Sequence, residues 1–192
     1  MRIEHIKASE LITNKWSGGT TTELAIYPKN AEYKNQNFLF RISTATVETE
    51  ESSFTKLPNV TRKLMILNGE IKIEHENHHS KMIKKFEQDE FSGDWNTKSY
   101  GKATDFNLMT NGKCTGEMEA ITFDHLESIS MKTDFNYYGF YIFKGEIELS
   151  IQDQFITASK GDVISIYSEN EIEKIDLHAT PDCEMILCKI KY

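Results

Sequence analysis

The sequence predicts an all-β protein built from two copies of one β unit. Three observations carry this. Helix-period patterns are nearly absent, whereas alternating apolar and polar runs recur along the 192 residues. Short turn signals punctuate the runs, and many short, evenly punctuated strands build sandwiches or barrels. Finally, "LNGEIKIEHENHH" at 67–79 is echoed by "FKGEIELSIQDQF" at 143–155.

In chain order, the alternating runs at 38–48, 62–76, 117–123, 138–152, 162–168 and 183–192 read as strands. Asn68-Gly69 is a two-residue hairpin signal, because both turn positions need positive φ. Lys144-Gly145 holds the same place in the second copy. Aligning the two glycines pairs "ILNGEIKIE" with "IFKGEIELS", and a Gly-Asp pair follows in each copy, Gly93-Asp94 and Gly161-Asp162. The least patterned stretch, 91–116, reads as a long connection with a short helix at 104–110. No Pro-, Ser- or Gly-rich linker divides the chain. The expected division is an N-terminal unit, 1–112, and a C-terminal unit, 113–192, packed as one globular body.

Composition narrows the function classes. Hydrophobic residues make up 39% and charged residues 27%, as in ordinary globular proteins. No apolar run approaches the roughly 20 residues that span a bilayer, and the start has no signal-peptide pattern; a cytoplasmic protein without membrane attachment is expected. Net charge is -8, and the densest basic stretch, "KMIKKF", is flanked by acidic residues. Such a chain is repelled by phosphate backbones, so nucleic acid is not an expected partner. The three cysteines show no CxxC spacing and read as reduced thiols. Arginine is scarce, only Arg2, Arg41 and Arg62 against 19 lysines. That draws attention to Arg41 and Arg62 as places where a planar, five-donor fork is needed.

The hairpin glycine followed by a Gly-Asp turn resembles the cupin double-stranded β-helix. Two such units imply a bicupin. Cupin metal sites usually take histidines and a glutamate from the strand before the hairpin glycine, and a histidine after the Gly-Asp turn. Those windows here, "FTKLPNVTRKLMILNG", "KTDFNYYGFYIFKG", "WNTKSYG" and "VISIYSENE", contain no histidine. No metal and no other cofactor is therefore expected. His75 is in register with Ile71 and Ile73 and reads as a hydrogen-bonded core-edge histidine. His78 and His79 read as turn residues.

A second resemblance is more specific. Trp16, Gly18, Gly19, Thr21 and Glu23 come first, then Arg41-Ile42-Ser43, then Phe54, Leu57 and Pro58. Arg62, Leu64 and Gly69 follow, then Phe91, Gly93 and Asp94, and last Asp105-Phe106-Asn107-Leu108-Met109. This series, in this order, resembles the HutD/Ves family of RmlC-like bicupins. "WSGGTTTE" is no P-loop, since it lacks the Gly-Lys-Ser/Thr ending. Its paired glycines permit close backbone approach to something bulky. Trp16 offers a flat wall, and Thr20, Thr22 and Glu23 offer polar groups. Glu23 and Arg41 are natural partners if their strands are neighbours. Arg62 can present a bidentate fork to a carboxylate, with Asn107 adding a donor and an acceptor. Trp16, Thr20, Thr22, Glu23, Arg41, Arg62 and Asn107 are thus the candidate ligand-binding residues. A structural ion-pair network is the competing account of the charged ones. Asp94 and Asp105 are expected as a turn residue and a local cap.

The resemblance implies a metal-free binder of a small carboxylated metabolite. It implies a regulatory role linked to histidine utilisation, with urocanate or formylglutamate as candidate ligands, or to stress in the Ves branch. Enzymatic activity is not the leading expectation. The alternatives are an isomerase or hydrolase using Glu23 as general base, and a protein-interaction module. Bicupins often pair through sheet edges, so a homodimer stays open.

Overall fold

The alternating runs form strands throughout. In order they are β1 (Arg2–Ile6), β2 (Thr13–Trp16), β3 (Gly19–Tyr27), β4 (Phe40–Val47), β5 (Glu51–Ser53), β6 (Val60–His75), β7 (Ser80–Lys84), β8 (Gln88–Ser92) and β9 (Thr97–Tyr100). Then come β10 (Ala103–Asn111), β11 (Thr115–Phe123), β12 (Glu127–Thr133), β13 (Tyr137–Lys144), β14 (Glu146–Ile151), β15 (Gln154–Ser159), β16 (Val163–Tyr167), β17 (Ile172–Ala179) and β18 (Cys183–Lys191). The computed structural model describes residues 1–170 and 172–192, with Lys132, Thr133 and Glu173 described by their backbone only. No described helix is long and apolar enough to cross a membrane.

Two compact units emerge. One is Ile12–Cys114; the other joins Met1–Leu11 to Thr115–Tyr192. The first eleven residues, expected in the N-terminal unit, therefore belong to the other one. The cause is a full antiparallel ladder between β1 and β16, from Arg2↔Tyr167 to Ile6↔Val163. Asp162 reinforces it by accepting from the Ala8 N–H at 2.9 Å and the Lys7 ammonium at 3.2 Å.

Unit Ile12–Cys114 is one curled sheet of order β2-β3-β4-β10-β6-β9-β5, with β7 and β8 also pairing with β6. The other unit has two sheets, β1-β16-β13-β18-β11 and β12-β17-β14-β15. Their facing sides form one apolar cluster, including Phe140, Ile142, Leu149, Ile164, Ile175, Leu177, Met185 and Leu187.

Two expectations fail here. Asn68-Gly69 is not a hairpin turn, because β6 continues through it. The strand bends there and changes partners: Val60 to Gly69 pair with β10, Glu70 to Glu74 with β7. Gly69 takes φ +85°, and a Cβ would lie 2.6 Å from the Lys102 carbonyl oxygen. Gly145 does the same between β13 and β14, with φ +84°. The chain reverses later, around Asn77, which takes φ 62°. The second failure is 91–116, expected as a long connection with a helix at 104–110. It contains β9 and β10 instead. "ATDFNLMTN" is buried on both faces between β4 and β6, which suits a central strand and not an amphipathic helix.

The repeat is structural. Aligning Gly69 with Gly145 places Arg62, Leu64 and Ile66 of β6 opposite Tyr138, Phe140 and Ile142 of β13. Leu64 pairs with Asn107 as Phe140 pairs with Leu187, and Ile66 pairs with Asp105 as Ile142 pairs with Met185. Apolar core positions of one unit are thus polar in the other.

Candidate functional site

The inner face of the curled sheet is set by register. On β4 the alternate residues Arg41, Ser43, Ala45 and Val47 share one face. β10 lies between β4 and β6, so Met109 stands between Arg41 and Arg62, and Asn107 between Ser43 and Leu64. These side chains, with Asn14 and Trp16 from β2, Thr21 from β3, Tyr33, and Phe54 beyond β5, line a cavity of about 510 Å³. That size suits a small-molecule ligand.

Arg41, Ser43, Arg62, Asp105 and Asn107 are all buried. The Arg41 Nε donates to Glu23 Oε2 at 2.7 Å, and an Arg41 terminal nitrogen donates to Ser43 Oγ at 3.0 Å. The Arg41 guanidinium lies 4.4 Å from the Tyr33 ring centre. Arg62 donates to Asn107 Oδ1 at 3.2 Å, and Asn107 Nδ2 donates to Asp105 Oδ1. The Arg62 guanidinium is flanked by Phe54 at 4.8 Å and Phe91 at 5.3 Å. Its Nε–H is buried and has no partner. An unsatisfied buried donor costs about 1–3 kcal/mol, and more on a charged group.

Burial governs the electrostatics. Burial pushes the Asp105 carboxyl up to about 7, although the Arg62 charge and the Asn107 hydrogen bond pull it down. Burial also lowers Arg62, to about 10, against the opposing effects of Tyr33 and Asp105 and with a further lowering from Arg41. Arg62 is therefore still cationic at neutral pH. With Asp105 close to half-protonated, the cavity presents two guanidinium groups and less than one full internal negative charge.

Four of the seven candidate residues, Trp16, Arg41, Arg62 and Asn107, come together on this cavity. Glu23 does not line it but holds Arg41. Thr20 and Thr22 lie elsewhere: strand alternation puts them on the opposite side from Thr21, and the Thr22 hydroxyl bonds to that of Thr13 at 2.7 Å. The paired glycines also have a local explanation. A Cβ on Gly18 would lie 2.1 Å from the Trp16 ring, so the bulky group approaching the backbone is Trp16 itself. Asp105, expected as a cap, lies on a strand and lines the cavity. Its signal was its i, i+2 spacing from Asn107. Tyr33, Ser43, Phe54 and Met109 complete the lining and carried no signal of their own. Asp94 stays outside, near the Asn59 N–H at 3.4 Å.

The inward positions around this cavity offer one carboxylate, Asp105, and no imidazole. That donor set does not fit the iron, manganese or zinc of metal-dependent cupins.

The HutD family model matches residues 8–187. No curated protein matches the sequence. Among solved structures, a conserved protein of unknown function, PA5104 from Pseudomonas aeruginosa PAO1, has TM-score 0.88 at 16% identity, covering 100% of both chains. HutD from Pseudomonas fluorescens SBW25 has TM-score 0.79 at 14% identity, covering 99% of this chain and 98% of that one. A cupin 2 conserved barrel domain protein from Leptotrichia buccalis has TM-score 0.60 at 16% identity, covering 98% and 96%. The fold is cupin-like.

Proposed function

The chain belongs to the HutD family, and from that premise and its polar cavity we propose that it binds a small carboxylated metabolite. The observation that carries this reading is the Arg62 Nε–H, buried and unpaired on a residue that lines the cavity. A carboxylate would satisfy it and use the fork geometry that distinguishes arginine from lysine. Arg41 adds a second cation, while Trp16 and Tyr33 supply flat walls. The ligand is held by guanidinium and amide groups and not through a metal. The family relation supports a regulatory role linked to histidine utilisation, with urocanate or formylglutamate as candidate ligands. The HutD structure from P. fluorescens carries the description "Formate condition", and formate is the simplest carboxylate.

A thermal-shift screen of histidine-pathway intermediates and other small carboxylates tests this. A true ligand at a hundredfold excess over its Kd raises Tm by about 5–10 °C, and Arg62→Ala removes the shift. No shift with any carboxylate would sink the reading.

One observation favours a second reading, an enzyme. Asp105 is the carboxyl that lines the cavity, and burial pushes it up to about 7. Turnover of a screening hit that Asp105→Asn abolishes would establish that role.

A further inference from the structure

The turn after β6 gathers side chains that the sequence keeps apart. His75 closes β6, His79 lies on the far side of the turn, and Asp89 lies on β8. The turn is closed by the His75 N–H donating to the His79 carbonyl at 2.8 Å and the His78 N–H donating to the His75 carbonyl at 3.0 Å. The Nε2 atoms of His75 and His79 each lie 2.9 Å from Asp89 Oδ2. All three donor atoms lie within 4.8 Å of one another, the one such group among the described residues. The His75 side chain is enclosed, whereas the His79 side chain is 41% exposed. Both border an open cavity of about 560 Å³ that is also lined by Glu74, Asn96 and Lys98.

We propose that His75, His79 and Asp89 form a site for a divalent transition-metal ion of the zinc class, with an open coordination position facing that cavity.

Two imidazoles and a carboxylate are the donors such ions take, and three protein ligands leave one position for solvent. Bonds of about 2.0–2.1 Å in a tetrahedron separate neighbouring donors by about 3.3 Å, so an ion fits after the existing contacts open slightly. Thr97 supplies the outer support. Its hydroxyl lies 2.8 Å from His75 Nδ1. It accepts as readily as it donates, so His75 can carry its proton on Nδ1 and free Nε2 for the ion. Phe91 and Trp95 pack on the His75 ring, with centres 4.5 Å and 5.4 Å away, and Trp95 is stacked on His78 at 3.7 Å. Burial holds His75 below its ordinary value, even with Asp89 opposing. Burial raises Asp89, but its two histidine bonds outweigh that and keep it below the usual range.

The repeat gives an independent reason. In the other unit the positions of His75 and His79 are Ile151 and Phe155. Asp89 pairs with Leu64 as Ile164 pairs with Phe140, so its counterpart is Ile164. Three positions that are apolar in one copy are all metal-capable in the other. None lies in the usual cupin metal windows or on the Arg41–Arg62 cavity.

The test is titration of chelator-treated, full-length protein with zinc chloride by calorimetry. One equivalent should bind, with affinity at least tenfold lower in His79→Ala and in Asp89→Asn, and unchanged in His125→Ala. Ring-nitrogen NMR of the unmutated protein gives a second readout independent of variant folding: zinc should move the His75 and His79 resonances and leave His125 and His178 in place. Absence of a one-equivalent event, equal affinity in His79→Ala, or unmoved His75 and His79 resonances would each overturn the proposal.

Discussion

Single side chains decide what the cavity can hold. Arg62 was legible because arginine is rare in this chain and it begins the strand entering the repeat. Arg41 was legible as scarce arginine, and Asn107 as the amide of the Asp105–Met109 segment that can both donate and accept. Asp105 was harder to place, because 104–110 reads as a short helix until its pairing with both β4 and β6 is known. "TTTE" carries no phase either, so the sequence could not say that Thr21, not Thr20 or Thr22, faces inward. Two predictions belong at this scale. Arg62→Lys keeps the charge but loses the fork, and should weaken carboxylate binding about tenfold by calorimetry. Asp105 sits near 7, so it turns anionic as pH rises through 7 and repels the ligand. Affinity should fall about 2- to 10-fold between pH 6 and 8. In Asp105→Asn it should stay flat.

Elements set where those side chains point. The Asn-Gly dipeptide correctly marked a break in β6 but not its kind. Whether a chain reverses or only bends depends on whether the flanking halves pair with each other, and here they pair with different strands. The Gly161-Asp162 turn was legible, but its partner was not, since β1 is remote in sequence. Burial raises the Asp162 carboxylate, but the Ala8 and Ser159 N–H groups, His5 and Lys7 more than offset that and leave it at about 2, against an ordinary 3.8. A folded value below the unfolded one stabilises above pH 4, and this is lost as pH falls toward 2. Asp162→Asn should therefore cost about 1–2 kcal/mol at pH 7 by denaturant unfolding. The gap to the unmutated protein should shrink at pH 3.

Across the whole molecule, the same β unit has been used twice with opposite interiors. The repeat was the most legible feature of the chain, because hairpin-like glycine, alternation and Gly-Asp turn recur in one order. The contrast in filling was not, because it needs the pairing of β6 with β10 and β13 with β18. Unit Met1–Leu11 with Thr115–Tyr192 packs Tyr138, Met185 and Leu187 where Ile12–Cys114 places Arg62, Asp105 and Asn107. The filled copy should behave as ordinary core. Leu149→Ala, at a fully buried position, should cost about 2–5 kcal/mol in denaturant unfolding. Polar residues in the other copy stay buried only if a ligand or a neighbour satisfies them. The most direct measurement is a crystal structure of the full chain with the best carboxylate from the thermal-shift screen. The account predicts a carboxylate oxygen about 3 Å from Arg62 Nε, with the ligand against Trp16 and Arg41. A carboxylate bound elsewhere, with Arg62 Nε still unpaired, would contradict it.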